Sequence, residues 1–201
     1  CFDTKINYLP LGKHITADSK EVFENLESGH FLSYALSAVE ECHKGFLDPK
    51  RLFLRSVDLI ITERCSLKCR DCSNLMQYYS SPKNLSFEEI VQDFDRLMAS
   101  VDHIFEIRLI GGEPFMNKEI YRVLEHIITT PNISRVVIYT NAMVPINSKH
   151  AALLRDKRIV FSITNYGQLA NRTSEVISQI DDLGINYRQS PPVNWTDSET
   201  I

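Results

Sequence analysis

The chain has 201 residues, of which 43% are hydrophobic and 24% charged, a composition that is typical of a globular domain and excludes a disordered or fibrous protein. No apolar run approaches the ~18 residues that a transmembrane helix requires. A net charge of −4, from 22 Lys and Arg against 26 Asp and Glu, gives no electrostatic support for binding to nucleic acid or to an anionic membrane surface.

Residues 1–55 are predicted to form an N-terminal helical extension or the tail of an upstream domain. Residues 1–18 look irregular, whereas apolar positions at helical spacing on both sides of Gly29 indicate helix over residues 19–44. A linker and a substrate-recognition helix pair are alternatives for this segment. Because the first residue is Cys1 rather than Met, we expect the chain to be a piece of a longer protein.

From residue 57 onward, strand and helix patterns alternate along the chain. The predicted strands are 57–62, 104–110, 135–140, 159–164 and 185–189, and the predicted helices are 86–101, 120–128, 149–156 and 175–183. Ser86 followed by Glu89 has the form of a capping box at a helix start. Strands that alternate with helices predict an α/β fold with a parallel sheet of about five strands. This domain is expected to span residues 56–190, followed by an irregular tail over residues 191–201.

Residues that carry chemistry follow the predicted strands. The polar loop 63–85 follows the first strand, Gly111-Gly112 the second, Thr140-Asn141 the third and Thr164-Asn165 the fourth. In parallel α/β folds the functional site lies at the carboxyl ends of the strands. We therefore expect these segments to meet at one site.

Three of the five cysteines lie within eight residues of the polar loop, with the spacing Cys65-x3-Cys69-x2-Cys72. The odd total of five cysteines and the clustering of three of them, in a chain of this length, indicate a metal site in a reducing, cytoplasmic compartment rather than a disulfide framework. Thiolates are good ligands for iron–sulfur clusters and for zinc. Lys68 and Arg70, which lie between the cysteines, are expected to lower the pKa of the thiols.

The number of cysteines bears on which metal is bound. A structural zinc site takes four protein ligands, so zinc requires a fourth group such as Asp71 or a distant His. A 4Fe-4S cluster held by three thiolates leaves one iron free to bind a cofactor or substrate. The remaining alternative, three free thiols without a metal, disagrees with their clustering in a polar loop.

The cysteine motif directly after the first strand, together with Gly111-Gly112-Glu113-Pro114 at the end of the second, resembles the radical S-adenosylmethionine (radical SAM) superfamily over roughly residues 55–190. The resemblance implies a (β/α)6 barrel, of which this chain holds part. It implies an enzyme in which Cys65, Cys69 and Cys72 hold a 4Fe-4S cluster and S-adenosyl-L-methionine (SAM) chelates the fourth iron. One electron then cleaves SAM to methionine and a 5′-deoxyadenosyl radical, which abstracts a hydrogen atom from a substrate.

The resemblance also implies which residues bind the cofactor. Gly111, Gly112, Glu113 and Pro114 correspond to the segment that binds the methionine amino group, and two glycines allow the backbone to turn sharply and approach a ligand closely. Asn141 ends the third strand in a segment where relatives often have Thr-Asn-Gly, although Ala142 replaces the glycine here. Ser162 corresponds to a serine that contacts polar groups of the cofactor. Local hydrogen bonding is its alternative role.

Many members carry an aromatic residue just before the third cysteine, close to the adenine of SAM. This chain has Asp71 at that position, which leaves Tyr78 and Tyr79 as candidate adenine contacts, with packing in the core or at the surface as their alternative role. Glu106 and Arg108 share a face of the second strand. We expect them to pair with each other, and a substrate contact is the alternative.

The resemblance implies further partners for the whole protein. An electron donor such as flavodoxin or ferredoxin is expected, and the substrate is a peptide, a carbohydrate or a small molecule. Many relatives add a cysteine-rich SPASM or twitch extension after the barrel, so the chain is expected to lack such a C-terminal part. This fragment is expected to be inactive alone if a sixth strand completes the cofactor pocket. The alternative function is a zinc-stabilised or catalytically inactive barrel that acts as a binding module.

Overall fold

A computed structural model describes residues 7–8, 15–16, 50–167 and 170–191. The helix predicted over residues 19–44 lies outside the described residues, as does the tail beyond residue 191. Two short strands, β1 (Asn7–Tyr8) and β2 (Ile15–Thr16), pair antiparallel in the segment that we expected to be irregular. Two-residue strands are too short to leave an alternating pattern in a sequence, which explains why they were missed.

Five strands of the described residues form one parallel sheet in sequential order. They are β3 (Phe53–Thr62), β4 (His103–Gly111), β5 (Ile133–Thr140), β6 (Ile159–Ile163) and β7 (Tyr187–Gln189). The predicted α/β class and parallel sheet are thereby confirmed. Strand β3 begins before the predicted residue 57, because Leu54 already pairs with Ile104 of β4.

Helices fill the connections between these strands. They are α1 (Phe87–Met98), α2 (Ile120–Thr129), α3 (Ala151–Leu154) and α4 (Thr173–Asp182). The predicted capping box is confirmed at α1, where the Ser86 hydroxyl accepts from the Glu89 N–H and the Glu89 carboxylate accepts from the Ser86 N–H. Helix α3 is shorter than predicted and follows a 3-10 turn at Ser148–His150. None of the helices that the structure describes is long and apolar enough to cross a bilayer.

One face of the sheet packs against the helices and forms the hydrophobic core. Alternate residues of each strand point to this face, as the pleat of a strand requires. Fully buried side chains from the sheet meet fully or almost fully buried side chains from the helices. They include Ile61, Ile107, Leu109, Ile138 and Phe161 from strands and Phe94, Leu124 and Ile180 from helices. The core therefore holds the strands in place and leaves their carboxyl ends at one edge.

The other face of the sheet carries polar and charged side chains. The Arg108 Nε lies 3.0 Å from Asp58 Oδ1 and 3.5 Å from Glu106 Oε1. Arg135 of β5 also forms an ion pair with Glu106. The predicted pairing of Glu106 with Arg108 is confirmed and extends across three strands. Two carboxylates and two guanidinium groups thus compensate one another's charge below the site.

Candidate functional site

A cavity of about 320 Å³ lies at the carboxyl ends of β3, β4, β5 and β6. This size is in the range that binds a small cofactor or substrate. The polar loop 63–85 and residues that end or follow each strand line it, as the sequence predicts. The lining includes Cys65, Cys69, Cys72, Gly111, Gly112, Tyr139, Asn141, Thr164 and Tyr166, with Asp58 and Arg108 from the polar face of the sheet.

The three motif cysteines line this one cavity as free thiols. Short backbone turns bring them to the same side of the loop, since the Cys72 N–H donates to the Cys69 carbonyl (3.3 Å) and the Leu75 N–H donates to the Cys72 carbonyl (3.0 Å). Cys69 is only 9% exposed, whereas Cys65 and Cys72 are partly exposed. The motif therefore presents three sulfurs to one shared cavity.

Burial is the main cause that raises the pKa of the Cys65 thiol to about 11; the charges of Glu113, Cys69 and Cys72 act in the same direction, and a hydrogen bond from the Leu67 N–H opposes the shift. Our expectation that Lys68 and Arg70 favour the thiolate is wrong for Cys65, because both side chains belong to exposed residues and neither is among the causes of its shift. Without a metal this thiol is protonated at neutral pH. Metal binding must therefore release its proton.

Gly111 and Gly112 lie where β4 meets the base of the cysteine loop. A Cβ at Gly112 would overlap the Arg64 carbonyl and lie 2.7 Å from the Cys65 Cβ, and Gly111 has a φ of +147°. The Gly112 N–H donates to the Thr62 carbonyl (3.1 Å) and the Glu113 N–H to the Arg64 carbonyl (2.8 Å). We expected these glycines to let a ligand approach, and both do line the cavity. Both glycines are, however, already required by close contacts within the protein: Gly111 lies against the Thr62 carbonyl, and Gly112 lies against the Arg64 carbonyl beside Cys65.

Glu113 and Pro114 are buried behind the cavity wall rather than in its lining. The Glu113 carboxylate accepts hydrogen bonds from the Phe115 N–H (3.2 Å), the Thr140 hydroxyl (2.8 Å) and the Asn141 N–H (2.8 Å). It therefore ties the end of β4 to the end of β5. Pro114 begins the 3-10 turn Pro114–Met116 that follows.

Asn141 joins the end of β5 to the cysteine loop. Its Nδ2 donates to the Ser66 hydroxyl (3.0 Å) and points to the Cys65 Sγ (3.8 Å). The next residue, Ala142, is fully buried and has a φ of +53°, a region that glycine adopts more readily. Ser162 does not line the cavity, and its hydroxyl accepts a hydrogen bond from Arg188 Nε (3.1 Å).

The aromatic residue beside the cysteines is Tyr166, which we did not single out from the sequence. It follows the Thr164-Asn165 strand end, which was the available signal. Tyr78 and Tyr79 are 61% and 44% exposed and lie outside the cavity lining, so their surface role is the one observed. Asp71 is also exposed, and its carboxylate lies 3.6 Å from Arg70 Nε.

The stability of the protein is expected to depend on pH through Glu113. Burial raises the pKa of this carboxyl group to about 7, although its three hydrogen bonds oppose the shift. The folded state therefore binds the proton more tightly than the unfolded state. As the pH rises from about 4.5 through 7, Glu113 lowers the free energy of unfolding by up to about 3 kcal/mol, with no further change above that. Denaturant unfolding of the reduced, metal-free protein at pH 5 and pH 8 measures this.

Comparison with Glu113→Gln isolates the effect from other carboxylates. The unfolding free energy of the wild type minus that of the variant is expected to be larger at pH 5 than at pH 8. Glu125→Gln is the matched control, because Glu125 is exposed on α2 and its difference from the wild type should not change with pH. A wild-type minus Glu113→Gln difference that is equal at both pH values would contradict the prediction.

Comparison with known proteins places this site in a family. Residues 59–172 match the family model of the radical SAM superfamily. Over 144 residues the chain is 31% identical to the GTP 3′,8-cyclase of Clostridium acetobutylicum, and the alignment covers 63% of this chain and 43% of that enzyme. The chain thus spans less than half the length of this relative.

Solved structures show the same fold at low sequence identity. The structure of native anSMEcpe with bound AdoMet and Cp18Cys peptide matches with a TM-score of 0.52 and 16% identity, over 68% of this chain and 42% of that chain. BtrN in complex with AdoMet and 2-DOIA matches with a TM-score of 0.52 and 17% identity, over 68% of this chain and 56% of that chain. Together with the parallel sheet, these matches confirm the predicted partial barrel. With more than half of its residues matched by the family model, the chain belongs to the radical SAM superfamily.

Proposed function

We propose that this chain is the core of a radical SAM enzyme that holds a 4Fe-4S cluster through Cys65, Cys69 and Cys72 and binds SAM in the same cavity. The observation that carries the proposal is that all three motif thiols and the Gly111-Gly112 strand end line one cavity at the carboxyl ends of the strands. Family membership supports the same reading. The reaction proposed is reductive cleavage of SAM, followed by hydrogen abstraction from a substrate.

The placement of the thiols supports a cluster over zinc. Zinc requires its sulfur ligands to converge on one tetrahedral centre. Within the described part of the chain, no three His, Cys, Asp or Glu side chains are placed to hold a single metal ion. In a 4Fe-4S cluster each cysteine binds a different iron. The cysteine sulfurs therefore surround a shared space without converging on one atom. Three thiols around a cavity of about 320 Å³ suit the second arrangement.

The protein's own residues would hold and shield these groups. When bound, the cluster supplies the electron and SAM the 5′-deoxyadenosyl group. The Asn141 amide, which points to the Cys65 Sγ, is placed to donate a hydrogen bond to a sulfur ligand, and such bonds adjust the reduction potential of a cluster. Gly112 and Glu113 fix the cysteine loop against β4 through their N–H groups. Of the predicted cofactor contacts, Gly111, Gly112 and Asn141 line the cavity and would touch SAM, whereas Glu113, Pro114 and Ser162 lie outside its lining.

The electron donor and the substrate also belong to this proposal. A flavodoxin or ferredoxin would reduce the cluster. A nucleotide, named in the Clostridium relative, and a peptide, present in the anSMEcpe structure, are the two substrate classes to test first.

Product analysis tests the proposed reaction. The full-length protein, reconstituted anaerobically with iron and sulfide and reduced with dithionite, is expected to convert SAM to 5′-deoxyadenosine and methionine. Chromatography of the products measures the yield, and Cys69→Ala treated in the same way is expected to give only background. An iron-loaded wild type that releases no 5′-deoxyadenosine would overturn the proposal.

A further inference from the structure

The cavity offers few flat surfaces to a nucleoside. Most of its lining consists of thiols, amides, hydroxyls and backbone. Two aromatic rings from the described residues contribute to the lining, those of Tyr139 and Tyr166. An adenine base binds best against an aromatic face, because stacking excludes water from both ring surfaces. The choice of an adenine contact therefore lies between these two tyrosines.

Tyr139 is already engaged on the polar face of the sheet. Its hydroxyl accepts a hydrogen bond from Arg188 Nη2 (3.1 Å), and the Arg188 guanidinium lies 5.8 Å from the centre of its ring. One face of the Tyr139 ring is therefore already occupied by a cation. Tyr139 is therefore the weaker candidate.

Tyr166 lies beside the cysteines on a turn that is held by hydrogen bonds to the residues before and after it. The Asn165 N–H donates to the Ser190 hydroxyl (3.0 Å), and the Gly167 N–H donates to Asn165 Oδ1 (3.0 Å). Gly167 has a φ of +58°, which completes the turn. The half-buried Tyr166 side chain is thus held at the end of β6 rather than free to swing away.

Tyr166 and the three cysteines line the same cavity. They lie close enough that the charges of Cys69, Cys65 and Cys72 act on the Tyr166 hydroxyl. Burial is the largest cause of the shift in its pKa, and together with these charges it raises the pKa to about 12, against a hydrogen bond with the Thr164 side chain.

We propose that the ring of Tyr166 is the surface on which the adenine of SAM stacks, and that Tyr166 thereby positions SAM against the cluster. This inference rests on the proposed function and adds a positioning residue to it. Stacking of a base on an aromatic ring contributes enough that its removal weakens binding about 5- to 150-fold. The ring, rather than the hydroxyl, carries the effect.

Equilibrium dialysis of radiolabelled SAM against the iron-reconstituted protein tests this. Tyr166→Leu, which keeps an apolar side chain of similar size, and Tyr166→Ala are expected to bind SAM about 5- to 150-fold more weakly. Tyr166→Phe keeps the ring and is expected to retain most of the affinity. Tyr79→Ala is the matched control, since it removes an exposed tyrosine outside the cavity, and its affinity should equal that of the wild type. Iron content, measured on every variant, identifies any that fails to load.

A second measurement separates stacking from a general disturbance of the site. Methionine carries the chelating groups of SAM without adenine, so its inhibition of SAM binding should give the same inhibition constant in the wild type and in Tyr166→Leu. Equal loss of affinity for methionine and SAM, or an unchanged SAM affinity in Tyr166→Leu, would overturn the role of Tyr166. An iron-loaded wild type that does not bind SAM would overturn the proposed function, and the role of Tyr166 with it.

Discussion

Alanine at any one of Cys65, Cys69 and Cys72 is expected to abolish assembly of the 4Fe-4S cluster. In the proposed site each thiolate would bind one iron, and the loop that carries the three cysteines offers no further thiol. Two remaining thiolates hold a cluster only weakly. In Cys69→Ala and Cys72→Ala one of them is Cys65, whose raised pKa makes loss of its proton on metal binding more costly. Iron and acid-labile sulfide analysis after anaerobic reconstitution, with the charge-transfer absorbance of the cluster, measures the loss.

Cys42→Ala is the matched control, because it makes the same chemical change at a cysteine outside the motif. Its iron content is expected to equal that of the wild type. Metal analysis that finds zinc at one equivalent in the wild type, with no iron after reconstitution, would favour the zinc-stabilised binding module instead. Iron retained in full by Cys69→Ala would show that the motif is not the cluster site.

The strands and helices of the barrel were predictable because their signals are local. Apolar runs of strand length and apolar positions at helical spacing recur between residues 57 and 189, and the order of elements alone implies a parallel sheet. The start of α1 was predictable from Ser86 and Glu89, which bond each other's backbone within one turn. Such features depend on neighbours in the chain rather than on the tertiary fold.

The start of β3 was not predictable for the opposite reason. Arg55 and Ser56 interrupt the apolar pattern just before the predicted start at residue 57. The first residues of β3 are held by pairing with β4, as between Leu54 and Ile104 and between Ser56 and Glu106. Both contacts exist only after the sheet has formed. The same holds for the Arg135 ion pair with Glu106.

In the candidate site, too, the features with local signals were predictable and those that depend on the tertiary fold were not. The cysteine motif was predictable because its spacing alone indicates a metal site. The burial of Glu113 and the packing of Gly112 against Arg64 were not, since both depend on how the loops after β3, β4 and β5 meet. Tyr166 was missed because its one signal in the sequence is a position just after a predicted strand end, which many tyrosines share. Its significance comes only from the cavity that it shares with the cysteines.

Gly112→Ala is expected to destabilise the protein and to prevent cluster assembly at the same time. The added Cβ would overlap the Arg64 carbonyl and press on the Cys65 Cβ at 2.7 Å. Backbone atoms cannot rotate away, so the base of the cysteine loop must move and the hydrogen bond from the Glu113 N–H to the Arg64 carbonyl (2.8 Å) is lost. Overpacking together with a broken buried hydrogen bond costs about 3 kcal/mol. Denaturant unfolding gives this cost, and iron analysis after reconstitution gives the effect on the cluster.

Gly184→Ala separates the two effects. Gly184 follows α4 with a φ of +64°, and the nearest atom to its added Cβ would be Arg155 Nε at 3.8 Å, so alanine there is strained without being crowded. Left-handed backbone at alanine costs about 1 kcal/mol or slightly more. Gly184→Ala is therefore expected to be less stable than the wild type but to take up iron fully. If Gly112→Ala also takes up iron fully, the cysteine loop does not depend on its contact with β4, and Gly112 contributes only to the turn. Loss of iron in Gly112→Ala alone would show that close packing of the two strand ends is what places Cys65 for the cluster.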